Sequence, residues 1–375
     1  MSQCDRESVV PVHHEEHKGV QVAASSYDTC SDMFVLAIPC NGESDEKVFE
    51  KAAATVRALG ASVVSADVFG ISGKKAPHLV ESLQSSTIPT TWVEEGCDNP
   101  EPLRGLHLYA VTGTTVDPVV VDDRPVGSTY DIDGIRYCRL GGLLTRDPSA
   151  SRGDQTKEIL ELMSAALTTL GMDFYNVIRT WFYNYRMLDW YDDFNAVRTA
   201  FFRKYKVFDG IVPASTCIGG HNIAGAALTA GLLAAKAPQC ETISTMVNSP
   251  LQCPAPQYGS SFSRAVELST ERIRRLFVSG TASIAPDGKS THIGDIDAQI
   301  ALTFDVVSAI LESRDMTWDD TTRAIAYFKK REDAPRLKAY LASRGMGELP
   351  FLITNNDICR DDLLFEIEMD ATAPI

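Results

Sequence analysis

Several things are scarce in this chain, and each absence narrows what it does. No stretch approaches the roughly twenty apolar residues that span a bilayer, so no membrane span is expected. The first residues, Met1 to Val20, are polar and rich in His and Glu. They do not read as a secretory signal, and the cytoplasm is the expected compartment. Positive charge is short: 35 Lys and Arg stand against 50 Asp and Glu, a net charge of −15. A surface this acidic repels phosphate backbones, and Arg272, Arg274 and Arg275 form only a short cluster, so no nucleic-acid partner is expected. None of the nine cysteines is spaced Cys-x-x-Cys. That pattern suits reduced thiols packed as small hydrophobes rather than a zinc site. His13, His14 and His17 with Glu15 and Glu16 fall in a stretch read as a tail, and no metal is assigned to them. The pairs Gly141-Gly142 and Gly219-Gly220 lack the spacing of a phosphate loop, and no cofactor is expected.

What is present is an ordinary globular composition, 44% hydrophobic and 23% charged over 375 residues, enough for two or three compact domains. Residues 1–31 are polar and without periodicity and read as a flexible arm. From Met33 the pattern changes. Met33 to Ile38 and Ala61 to Phe69 read as buried strands. Between them, Val48, Phe49, Ala52, Val56 and Leu59 recur at helical spacing and stop at Gly60. Tyr137 to Leu144, a helix from Thr156 to Leu170, Val177 to Tyr183 and a helix from Trp190 to Tyr205 follow. Ala224 to Ala235 reads as strand or helix. Leu276 to Ile284, a helix from Ile296 to Ser313, Thr322 to Phe328, a helix from Pro335 to Ser343 and a strand from Leu363 to Met369 close the chain.

The last two thirds repeat one another. Gln155 matches Gln299, Leu167 matches Leu311, Arg179 matches Arg323 and Tyr183 matches Tyr327. Each unit reads strand, helix, strand, helix, strand. The first third fits the same template in worn form. The expected architecture is α+β: units at 32–125, 126–250 and 251–375, fused into a pseudo-trimer with helices outside mixed sheets. Pockets belong in the clefts between units, and the chain is expected as a monomeric pseudo-trimer or a higher homo-oligomer.

One stretch stands out. In Cys359-Arg-Asp-Asp-Leu-Leu-Phe-Glu-Ile-Glu-Met369 the side chains of Glu366 and Glu368 share a strand face, because strand residues alternate. A carboxylate within so apolar a strand is costly to bury without a partner or a task. The plain alternative is a solvated face carrying two surface charges.

Gly280 in Val-Ser-Gly-Thr-Ala-Ser, the Gln299 helix, the Trp318-Asp-Asp strand entry and the closing Leu-Phe-Glu-Ile-Glu together resemble the RidA superfamily. Gln155, Gly171, Phe194-Asn195 and Pro213-Ala214 carry the same likeness in the middle unit. Imine-hydrolysing members of that superfamily place an Arg after the Pro-Ala pair. Here Ser215 stands in that place, and Pro350-Phe351-Leu352 of the third unit offers none. Three such units in one chain resemble the chorismatase family, through Tyr258-Gly-Ser-Ser-Phe-Ser-Arg264, Phe277-Val-Ser-Gly-Thr-Ala-Ser283, and Cys359 seven residues before Glu366. The resemblance implies enzymes that remove the enolpyruvyl group of chorismate as pyruvate, with Glu366 as catalytic acid. It implies that Cys359 goes with members releasing 3-hydroxybenzoate.

The residues suit that chemistry. Cleaving an enol ether requires a carboxylic acid kept neutral near pH 7, which burial achieves. A dicarboxylate substrate needs fixed cations. Arg264 is the first candidate, with Tyr258, Ser260, Ser261 and Ser263 to share the oxygens, and Arg179 is a candidate second clamp. Gly280, followed by Thr281, would let a ring approach the backbone. Glu368 reads as solvated or structural, and Cys217 as a remnant of the middle unit's site. Two other readings stay open: a hydrolase acting on an imine or enamine, and a small-molecule-binding protein without catalysis.

Overall fold

The computed structural model describes residues 10–17, 19–27, 29–70, 76–83, 87–94, 103–237, 243–347 and 349–375. The first unit runs β1 (Val10–His17), β2 (Val20–Tyr27), β3 (Cys30–Ala37), α1 (Asp45–Ala58), β4 (Ser62–Phe69), α2 (Ala76–Glu81), β5 (Thr90–Val93) and β6 (Gly105–Thr112). The second repeats that order: β7 (Asp117–Val121), β8 (Arg124–Ile132), β9 (Ile135–Leu143), α3 (Arg152–Thr169), β10 (Val177–Asn184), α4 (Tyr191–Lys204), β11 (Ala214–Gly219) and β12 (Leu228–Lys236). The third is β13 (Ser244–Val247), β14 (Ala265–Ser269), β15 (Ile273–Ala282), α5 (Ile296–Glu312), β16 (Thr321–Phe328), α6 (Pro335–Ser343), β17 (Phe351–Asn355) and β18 (Phe365–Pro374). The three six-stranded sheets have one topology: β1-β2-β3-β6-β4-β5, β7-β8-β9-β12-β10-β11 and β13-β14-β15-β18-β16-β17.

Four expectations are corrected here. Residues 10–27 are not an arm; they form the antiparallel pair β1–β2, which joins the first sheet through β3. Val20 and Val22, alternate residues of β2, pack in the core beneath α1, while the polar residues around them are what made the segment read as unstructured. The repeat is longer than the five elements expected, because each unit opens with a hairpin and adds a short edge strand. The first unit is complete rather than worn, although α2 is brief. The sheets change between Thr112 and Asp117 and between Lys236 and Ser244. The expected breaks at 125/126 and 250/251 therefore fall inside β8 and after β13. The Ala/Gly-rich stretch left open as strand or helix is strand β12.

Each sheet covers its outer face with its own helices. In the third unit Ile300, Phe304, Val307 and Leu311 of α5 pack on Phe365, Ile367, Met369 and Ala371 of β18. Phe304 lies against the rings of Trp318, Tyr340, Phe351 and Phe365. Truncating such a side chain costs roughly 3–5 kcal/mol. Asp295 caps α5, accepting from the backbone N–H of Ala298 at 3.1 Å, and Ser151 caps α3 in the same way.

The inner faces of the three sheets meet each other. Phe69, Tyr183 and Tyr327 hold equivalent register positions, opposite Gly105, Thr229 and Glu366 respectively. The Phe69 ring makes edge contacts with both tyrosines, at 5.9 Å and 6.4 Å. Around this axis the polar alternation of β18 finds its use. Glu366, Glu368, Asp370 and Thr372 face inward, yet all are buried, so the alternation marks a seam between sheets instead of a wet face. Arg179 pairs with Glu368 at 3.0 Å and Asp370 at 3.2 Å. Arg323 reaches Glu368 at 2.7 Å, Arg139 pairs with Asp67 at 3.1 Å and Arg275 with Asp32 at 3.1 Å. Buried charges are tolerated only when matched in this way.

Candidate active site

Two of the internal spaces are lined by charged groups. The one on the axis has a volume of about 40 Å³, room for only a few waters. Its arginines and carboxylates are already paired with one another. The other, of about 200 Å³, lies at the seam between the second and third units. Glu366, Gly280, Tyr258, Arg264, Cys359 and Arg360 line it from the third unit; Tyr191, Asn195, Arg198, Ser215 and Cys217 line it from the second.

The third unit delivers Glu366. Gln299 fixes the entry to β18: its amide oxygen accepts from Leu364 N–H at 2.8 Å and its NH₂ donates to Asp362 O at 2.9 Å. Gln155 does the same before β12 through Ala227. The side chain of Glu366 is 4% exposed, and no hydrogen bond to its carboxyl is found among the described residues. Burial, then the charge of Glu368, raise its pKa to about 8 against the pull of Arg264. Near neutral pH it is a protonated acid facing the cavity. Gly280 sits at an irregularity of β15, between Val278 and Thr281, where the pairing with β18 shifts. A Cβ there would overlap the Glu366 carboxyl. The glycine thus makes room for the acid.

Cations flank this acid. Arg264, 3% exposed, donates from Nε and Nη2 to Cys253 O at 3.0 Å and 2.8 Å. It lies over the ring of Tyr258, which Arg360 covers as well, each 5.4 Å from the ring centre. Burial pushes the Tyr258 hydroxyl up to about 12, so it stays a neutral donor. Arg198 comes from α4 and is 1% exposed; it donates to Asn195 Oδ1 at 2.7 Å and Ser215 Oγ at 3.4 Å. Its Nε has no partner among the described residues. Burial, then the carboxyl of Glu366, push the Cys359 thiol up to about 12. Burial pushes Cys217 up too. Neither is a thiolate nucleophile.

Of the expected site residues, Glu366, Cys359, Arg264, Tyr258 and Gly280 come together. Arg179, Ser261, Ser263 and Thr281 do not line the cavity. Arg179 is taken up by Glu368, Asp370 and Val278 O, so its guanidinium is not available to clamp a substrate carboxylate. Ser261 and Ser263 stitch the seam. Ser261 Oγ bonds Thr199 Oγ1 of α4 at 2.7 Å, and Ser263 N–H donates to Pro213 O at 3.1 Å. Ser279 completes the stitch, accepting from Ser215 N–H at 2.8 Å and donating to Ser263 O at 2.6 Å. The hydroxyl of Thr281 donates to Ser279 O. Glu368 is structural but not solvated; it is wholly buried. Cys217 is no remnant: the middle unit's edge faces the third unit's acid, so Cys217 lines the same cavity.

Arg198 was missed. Its signal is a charge on the buried stripe of α4, four residues after Phe194 and three before Phe201, all three buried. The equivalent seam between the first and second units is lined by Trp92, Pro125, Gly141 and Gly142 among others. It holds Thr229 at the register position of Glu366.

These observations define a chain of three fused α+β units with a site bearing a buried acid at the seam between the second and third. No family model matches the chain. It is 26% identical to a chorismatase of Streptomyces hygroscopicus over 272 residues, 65% of this chain and 76% of that protein. A chorismatase of Streptomyces rapamycinicus is 28% identical over 261 residues, 63% of this chain and 76% of that protein. A crystal structure of a chorismatase superposes with a TM-score of 0.63 and 19% identity, over 92% of this chain and all of the other. In sequence the chain is similar to these two chorismatases, and in fold to the chorismatase of the crystal structure.

Proposed function

We propose that this chain is a chorismatase-like enzyme that cleaves the enol ether of chorismate, or of a close enolpyruvyl cyclohexadiene acid, and releases pyruvate. The observation that carries the reading is Glu366: a buried acid with no hydrogen-bond partner among the described residues, in a cavity that also holds Arg198 and Arg264. Glu366 gives its proton to the terminal methylene carbon, leaving an oxocarbenium ion. Attack by water gives a hemiketal, which collapses to pyruvate and the ring alcohol, and the water's proton reloads the carboxylate. The acid is matched to neutral pH, where it is both protonated and able to donate. The two guanidiniums suit a substrate with two carboxylates. With Cys359 beside the acid, the ring alcohol then loses one water (a ring hydroxyl and the hydrogen of the neighbouring carbon) and aromatises to a hydroxybenzoate, so that pyruvate and the hydroxybenzoate together account for chorismate with no net uptake of water.

A second reading has one observation in its favour. Arg198 donates to Ser215 Oγ, so a helix brings a guanidinium to the place after Pro213-Ala214 where imine hydrolases carry Arg. The test is incubation with chorismate, with pyruvate and the aromatic product followed together. Pyruvate in step with a hydroxybenzoate, lost in Glu366→Gln, is expected. No pyruvate at any pH from about 6 to 9, where the acid passes through its titration, would overturn the reading. Turnover of an imine instead supports the second, and thermal stabilisation by chorismate without turnover marks a binding protein.

A further inference from the structure

We propose that Glu368 is a positioning residue for Glu366: its clamped carboxylate is a fixed negative charge that keeps the neighbouring acid supplied with its proton. This rests on reading Glu366 as the proton donor. The two residues are i and i+2 on β18, so their carboxyls stand side by side on the face turned toward the second unit. Two carboxyls so placed in a water-poor seam repel one another when both ionise, so the charge of one raises the pKa of the other. The surroundings decide which one carries the charge.

Glu368 receives the direct ion pairs and hydrogen bonds. Arg323 Nη2 lies 2.7 Å from Oε1 and Arg179 Nη2 3.0 Å from Oε2. The Trp181 indole N–H donates to both oxygens, at 3.2 Å and 3.1 Å. Arg179 is itself held by Val278 O at 2.7 Å and Thr216 Oγ1 at 3.3 Å, so the clamp does not swing. Burial raises Glu368, but Arg323 and then Arg179 outweigh it and bring its pKa to about 2. Glu366 receives none of these bonds.

The other charged groups near Glu366 act in the opposite sense. Arg264, Arg198 and Arg360 line its cavity, and the guanidinium of Arg264 pulls the Glu366 pKa down. Asp192 lies exposed at the rim, where water screens it. Cys217, Cys359, Tyr191, Tyr258 and the opposed Tyr327 are all pushed upward by burial and carry no charge near neutrality. Among the described residues, Glu368 is the buried anion that raises Glu366 against the pull of Arg264.

The experiment is an infrared titration of the protonated carboxyl band, assigned to Glu366 by its loss in Glu366→Gln. In Glu368→Gln the midpoint falls by about one pH unit or more, which takes the protonated fraction at pH 8 from about half to about a tenth. The alkaline limb of the chorismate rate moves the same way, and Glu368→Asp restores both. Should Glu368→Gln leave buried cations that prevent folding, the double variant Glu368→Gln/Arg179→Gln removes one charge of each sign and gives a smaller shift in the same downward direction, since the anion stands beside Glu366 and the cation lies behind it. An unmoved or rising midpoint in a folded variant overturns the proposal. A band that shifts as described in a protein with no turnover defeats the reaction assignment alone, and turnover with an unmoved band defeats this inference alone.

Discussion

Replacing Glu366 by Gln is expected to abolish pyruvate release and, at the same time, to stabilise the fold by an amount that grows with pH. The reasoning is linkage. A carboxyl whose pKa rises from 4.5 unfolded to about 8 folded is welcome in the fold only while protonated. Its contribution is fully present below pH 4.5 and is lost as pH rises through about 8. Relative to a group that does not titrate, that loss is about 1 kcal/mol at pH 5, about 3 at pH 7 and about 5 at pH 9, taking 1.36 kcal/mol per unit. Gln keeps the shape and cannot ionise. Denaturant unfolding of the two proteins at the three pH values is the assay, because every other titrating group cancels in the difference. A difference that is flat across that range would mean that Glu366 is already ionised in the fold, and the proton-donor assignment would fall with it.

Two further substitutions separate the parts of the site. Gly280→Ala places a methyl where the Glu366 carboxyl lies; the side chain swings aside, and kcat falls by roughly tenfold or more while the denaturation midpoint barely moves, since φ at this position is not positive and the backbone accepts Ala. A kcat within twofold of the parent would show that the carboxyl does not need that place. Arg198→Gln removes a buried cation whose protein partners are neutral, and kcat/KM falls by roughly 10- to 100-fold, the worth of a charge-assisted hydrogen bond of about 1.5–3 kcal/mol. An unchanged KM for chorismate would remove Arg198 from substrate binding.

Much of this was legible in the residues and some was not, for identifiable reasons. The helices α1, α3 and α5 showed themselves because one apolar stripe meets one sheet, a local fact that a period of 3.6 records. Strands such as β1, β13 and β17 did not. They lie at sheet edges and are short or polar outside, so no sustained apolar period marks them. Glu366 and Glu368 were visible as an oddity, two acids on one face of an apolar strand. Their opposite fates were not visible, because Arg179, Trp181 and Arg323 come from other strands, two of them in another unit. The position of Arg198 on the Phe194 stripe was open to inspection, but an aromatic-rich stripe reads as core. Ser261 and Ser263 were read as ligands because hydroxyls serve anions and seams alike; only the neighbours Thr199 and Pro213 decide between the two.

The equivalent register positions Glu366, Thr229 and Gly105 carry a consequence for how such a protein changes. In an assembly of identical subunits each substitution is made three times at once, so a buried acid introduced at one seam burdens all three. Here each seam is written by its own stretch of chain. An unstable residue is confined to one of them, while the other two are left to hold the molecule together. The same holds for the axis, where Asp32, Tyr137 and Arg275 occupy matching places and are complementary only in that combination. Such a trio cannot arise from three copies of one residue. A protomer cut from this chain would not reassemble into a threefold ring, and the order of the units is as much part of the specification as their individual folds.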